Sequence, residues 1–97
     1  MRLAKEQIII IKHCVAIVFG ENAKVYLFGS RVDDTKKGGD IDLYLEVDDR
    51  QSVFEKKLTL LSALRKNLGD QKIDLIINDS SKEKDIYKIA RTTGVLL

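Results

Sequence analysis

The chain has 97 residues, 44% of them hydrophobic and 33% charged, with a formal net charge of +2. That length suits one domain spanning 1–97, and the composition supports a packed core and argues against disorder. The net charge is too small to draw nucleic acid by bulk electrostatics, so nucleic acid is not an expected partner.

Residues 3–19 read as a helix that is apolar around most of its circumference and closed by Gly20. Its run from Ile8 to Phe19 is interrupted by Lys12 and His13, and is too short to span a bilayer. No small-residue cleavage site follows it, so neither a signal peptide nor a membrane association is expected. Cys14 is the one cysteine and reads as a small buried hydrophobe; a lone thiol fits a reducing cytoplasm. His13 has no metal-ligand neighbours beyond Cys14 and reads as structural.

Lys24–Phe28 reads as a first strand, and Gly29–Gly39 as a polar loop. In a second strand, Ile41–Val47, residues Ile41, Leu43, Leu45 and Val47 share one face, and Asp40, Asp42, Tyr44 and Glu46 the other. Gln51–Leu68 reads as an amphipathic helix on the spacing of Phe54, Leu58, Leu61, Leu64 and Leu68, stopped by Gly69. Ile73–Ile77 reads as a third strand. Ser80 or Ser81 is the expected cap of a last helix reaching about Arg91, with Glu83 and Asp85 in its first turn.

The order α-β-β-α-β-α predicts an α+β fold with a small mixed sheet covered by helices on one face. A right-handed crossover makes the second and third strands parallel, and the polar loop permits an antiparallel pair of the first two.

Aspartate is disfavoured within strands, yet Asp40 and Asp42 stand two apart at the start of the second and Asp74 near the start of the third. Parallel strands put those starts at one end of the sheet, where the three carboxylates converge. Like charges at about 4 Å repel by about 4 kcal/mol at an effective dielectric near 20, so a proton or a cation must offset them. All-oxygen ligands suit Mg²⁺ or Mn²⁺. Alone, the Asp40–Asp42 pair is better read as solvated residues after a Gly-Gly turn. The Gly29-Ser30 turn changes that balance, because an antiparallel pair puts it beside the two aspartates. There its backbone and hydroxyl can meet phosphate, with Arg31, Lys36 and Lys37 adding positive charge.

Gly29-Ser30, nine residues, then Asp40-Ile41-Asp42-Leu43, with Asp74 on a later strand, resembles the signature of DNA polymerase β-type nucleotidyltransferases. The likeness extends over nearly the whole chain, whose short length is similar to the minimal nucleotidyltransferases of prokaryotes. Many of that family carry a small residue where this chain has Asp34, which sets an extra negative charge near the expected triphosphate. The resemblance implies an enzyme with Asp40, Asp42 and Asp74 as catalytic residues and as ligands of two Mg²⁺ ions. It implies Gly29 and Ser30, with Arg31 as a weaker candidate, on the phosphates of an NTP, expected to be ATP. It also implies a HEPN-domain partner protein, with the chain acting as an antitoxin that transfers AMP to a tyrosine of that toxin. The other functional class is a binding module that neutralises its partner by occlusion. Homo-oligomerisation is compatible with the exposed sheet face.

Lys84, Lys88 and Arg91 share one side of the last helix, opposite Ile86, Ile89 and Ala90. This reads first as a solvated face, and second as a contact for nucleotide or an acidic partner. Tyr44, on the acidic face, suits either a nucleotide pocket or a partly buried strand position.

Overall fold

A computed structural model describes residues 1–36, 39–79 and 82–97. Helix α1 (Lys5–Phe19) opens with the Gln7 side chain accepting from the Ala4 N–H at 2.9 Å, and ends where Gly20 N–H donates to Ala16. Strand β1 (Lys24–Phe28) runs into a 3₁₀ turn, Gly29–Val32. Strand β2 (Ile41–Glu46) follows, then α2 (Val53–Leu68), β3 (Ile73–Ile77) and α3 (Asp85–Thr93). A two-residue strand, β4 (Val95–Leu96), follows α3 and was not expected. Two residues are too few for an alternation signal; what makes them a strand is pairing with β1, Tyr26 opposite Leu96 and Leu27 opposite Val95. Lys84 precedes α3; the capping positions expected at Ser80 and Ser81 lie outside the described residues.

The sheet order is β3-β2-β1-β4, with β2 and β3 parallel and the other pairs antiparallel. One face carries Val25, Leu27, Ile41, Leu43, Leu45, Ile73, Leu75 and Ile77, all buried against α1 and α2. Ile11, Cys14 and Val15 supply the α1 side and Leu60 and Leu64 the α2 side. Burial raises the Cys14 thiol pKa, in keeping with an unreactive core position, whereas His13 is exposed. Among the described residues no helix is long and apolar enough to cross a membrane.

Two expectations change. On α2, Phe54 is 66% exposed and Leu58 53% exposed, while Leu60 and Leu64 are fully buried. At 3.6 residues per turn, Phe54 lies about a third of a turn from Leu60, so both cannot face the sheet. The apolar spacing was right and its centre misplaced, because α2 also packs on α1. The helices do not all lie on one face of the sheet as expected: α3 covers part of the second face. Tyr44 is fully buried there, its ring 5.5 Å from Tyr87 and 5.9 Å from Tyr26, with Ala90, Phe28 and Ile76 completing the cluster.

The contrast on α2 is measurable by denaturant unfolding. Leu64→Ala should cost about 2–5 kcal/mol, whereas Leu58→Ala should cost less than about 1 kcal/mol.

Candidate active site

The second sheet face is ordered in cross-strand rows. Phe28, Asp42 and Asp74 form one row: Phe28 pairs with Asp42 across β1–β2, and Asp42 with Asp74 across β2–β3. Tyr26, Tyr44 and Ile76 form the next. Helix α3 roofs the aromatic row and leaves the carboxylate row partly open, with Asp42 half-buried and Asp74 exposed.

Asp42 and Asp74 stand side by side across β2 and β3. Burial pushes the Asp42 carboxyl above its usual range, the neighbouring Asp74 pushes it further, and the charge of Asp40 adds to both. Lys72 acts in the opposite direction and ion-pairs with Asp40 at 3.5 Å. Sequence reasoning missed Lys72. The signal was available, since the parallel register that sets Asp74 beside Asp42 also sets Lys72 beside Asp40.

The loop closes on these groups. Gly29 has φ = 77°, and a Cβ there would lie 2.3 Å from Asp42 Oδ2. Gly39 has φ = 93°, and a Cβ there would lie 2.3 Å from Ser30 Oγ. Both positions therefore need glycine on conformation and on space. The turn backbone thus lies against Asp42, and the Ser30 hydroxyl lies in the notch beside Gly39, next to Asp40. All six residues expected in the site, Gly29, Ser30, Arg31, Asp40, Asp42 and Asp74, lie at one end of the sheet.

The remaining loop residues are occupied otherwise. Arg31, expected as a weaker phosphate ligand, donates from each guanidinium nitrogen to protein oxygens: Gly39 O at 3.3 Å, Arg2 O at 3.0 Å and the Gln71 side chain at 3.1 Å. Asp33 accepts from the Thr35 hydroxyl and N–H, which hold its carboxyl below the usual range. Asp34, the extra charge expected near a triphosphate, pairs with the Met1 amino group. Lys36 is exposed, and Lys37 lies outside the described residues. On α3, Arg91 pairs with Glu83 at 2.8 Å and Glu46 at 3.3 Å, so part of the expected basic face is neutralised.

Residues 10–97 match the family described as "Polymerase beta, Nucleotidyltransferase". The chain belongs to the polymerase β-type nucleotidyltransferases. No curated protein matches it. Nucleotidyltransferases of this family typically take an NTP and a divalent metal, and the three carboxylates can be tested against that need. Their oxygens are hard donors, and the upward push on Asp42 comes partly from neighbouring negative charge that a divalent cation would relieve. The donor set therefore fits a cation of the Mg²⁺ type. Among the described residues, no three His, Cys, Asp or Glu side chains already stand in a metal-holding cluster, and Asp40 is turned to Lys72.

Two measurements follow from this geometry. Gly29→Ala forces a side chain into left-handed backbone and onto Asp42; transfer should fall by at least about a hundredfold, with a cost of roughly 1–3 kcal/mol in thermal unfolding. Burial, and then the charge of Glu46, push the Tyr44 phenol up to about 12, opposed by Arg91. The unfolded phenol titrates near 10. Since the folded value is the higher, the Tyr44 contribution is complete below about pH 10 and is lost as pH rises through about 12. Unfolding free energies across that window should fall less steeply in Tyr44→Phe than in the native chain.

Proposed function

We propose that the chain transfers AMP from ATP to a hydroxyl on a partner protein in the cytoplasm, the leading acceptor being a tyrosine of a HEPN-domain toxin that it thereby restrains. The observation that carries the transfer chemistry is the adjacency of Asp42 and Asp74 in one cross-strand row, with the Gly29 backbone lying against Asp42. The acceptor and partner rest on the likeness to minimal nucleotidyltransferases. Two observations are compatible with a protein acceptor: the carboxylate row is partly open at one end of the sheet, and Phe54 and Leu58 are left exposed on α2.

In this reading Asp40, Asp42 and Asp74 hold two Mg²⁺ ions, which when bound neutralise triphosphate charge and acidify the acceptor hydroxyl. The Gly29–Ser30 backbone and the Ser30 hydroxyl orient the β- and γ-phosphates. The acceptor oxygen attacks the α-phosphorus in line, and the bond from that phosphorus to pyrophosphate breaks. The acceptor's proton passes to solvent or to Asp74, which lies on the exposed side of the row. Positioning and charge neutralisation account for the rate.

The test incubates the purified chain with Mg²⁺, labelled ATP and the protein encoded beside it. Label is expected on that protein, reduced by at least about a thousandfold in a folded Asp42→Asn variant, since removing one ligand of a two-metal clamp forfeits several kcal/mol. A fully active Asp42→Asn variant would sink the proposal. A stable complex without label, from ATP and the other three NTPs alike, identifies an occluding module instead.

A further inference from the structure

We infer that Arg31 is a positioning residue that holds the lead-ins of β2 and β3 in register, so that the carboxylates at the start of both strands meet. Two of its acceptors sit at equivalent places. The Gly39 carbonyl belongs to the peptide that leads into Asp40, and the register that pairs Ile41 with Ile73 puts Gln71 opposite Gly39. The Arg31 guanidinium therefore spans the gap between the two strands one step before their ladder begins, where Ile41 N–H donates to Lys72 O at 3.0 Å.

Its other contacts extend the brace. Gln71 donates to Leu68 O at 3.5 Å, which ties the guanidinium to the last turn of α2. Nη1 donates to Arg2 O, while Arg2 N–H donates back to Arg31 O at 2.7 Å and the Arg2 guanidinium donates to Ser30 O at 3.0 Å. The Gly29–Val32 turn, the Asp40 lead-in, the Asp74 lead-in and the α2 terminus thus converge on one half-buried planar cation. The guanidinium offers its donors from three nitrogens held in one fixed plane, whereas an ammonium carries all of its donors on a single rotatable nitrogen.

Arg31 thus acts on the reaction through Asp40, Asp42 and Asp74. Its effect on rate rests on the nucleotidyltransferase reading of the site, whereas the brace is a property of the fold and can be read without turnover. The discriminating variants are Arg31→Lys, which keeps the charge a phosphate ligand needs but loses the fork, and Gln71→Met, which removes one acceptor and leaves every loop residue in place.

Three quantities decide the matter: steady-state transfer, binding of Mg²⁺ with a non-hydrolysable NTP analogue, and amide hydrogen exchange over residues 40–42 and 73–75. In both variants kcat should fall about 10- to 100-fold, as expected for carboxylates displaced by a fraction of an ångström up to about 1 Å. KM and analogue affinity should stay within about threefold, and exchange in both segments should quicken about tenfold or more. The inference is overturned if Arg31→Lys raises KM and weakens the analogue about tenfold while Gln71→Met changes nothing, for that marks a phosphate ligand. Unchanged exchange in both variants overturns it as well. If the native chain transfers from no NTP, the transfer reading fails by itself. The exchange measurement then decides the brace alone, faster exchange in both segments supporting it and native exchange refuting it.

Discussion

Like charge at one end of a small sheet is the constraint around which the second face of this protein is organised. Asp40, Asp42 and Asp74 repel one another, and nothing in the hydrophobic core draws them together. Asp42 and Asp74 stand side by side because Leu43, Leu45, Leu75 and Ile77 are buried on the opposite face, and burial of one face of a strand fixes what the other face presents. Burial pushes the Asp42 carboxyl up, and the neighbouring negative charges add to that push. Lys72 relieves part of it from the neighbouring strand, and the glycines at 29 and 39 let backbone approach where side chains could not.

The two ends of the second face are solvated differently. Around Tyr44 the face is dry, stacked and roofed by α3; at Asp42 and Asp74 it is half wet. The electrostatic effects follow that division. Tyr44 keeps its proton far into the alkaline range because its ring is enclosed and Glu46 is near. Asp42 feels burial and its neighbours together, yet remains reachable from solvent, as a carboxylate that serves a ligand must be.

Much of this was legible beforehand. The first three strands fall where the sequence pattern placed them, and β2 and β3 run parallel, which pairs Asp42 with Asp74. The less legible parts depend on partners distant in sequence. Tyr44 reads as one member of a polar alternation until α3 is known to lie over it. Phe54 reads as core until α1 is known to take part of α2's contact surface. Strand β4 consists of two residues whose only strand-like property is their neighbour. Arg31 carried a sign that suited phosphate, whereas its role depends on where Gly39 and Gln71 stand, which no local pattern encodes. Lys72 is the instructive intermediate, since the register already inferred was sufficient to find it.

The pairing of β2 with β3 has one more consequence, for how the chain can vary. Between Ile41 and Leu45 each residue faces opposite to its neighbours, with dry aliphatic core on one side and site or roof on the other. Adding or deleting one residue ahead of Asp42 within that strand, unless a bulge absorbed it, would turn Asp42 toward the core and Leu43 toward water, with every later position in β2 inverted as well. Substitutions there can be graded in severity, but changes of length cannot. A change of length is therefore expected to be tolerated in the turns outside the strand more readily than within it.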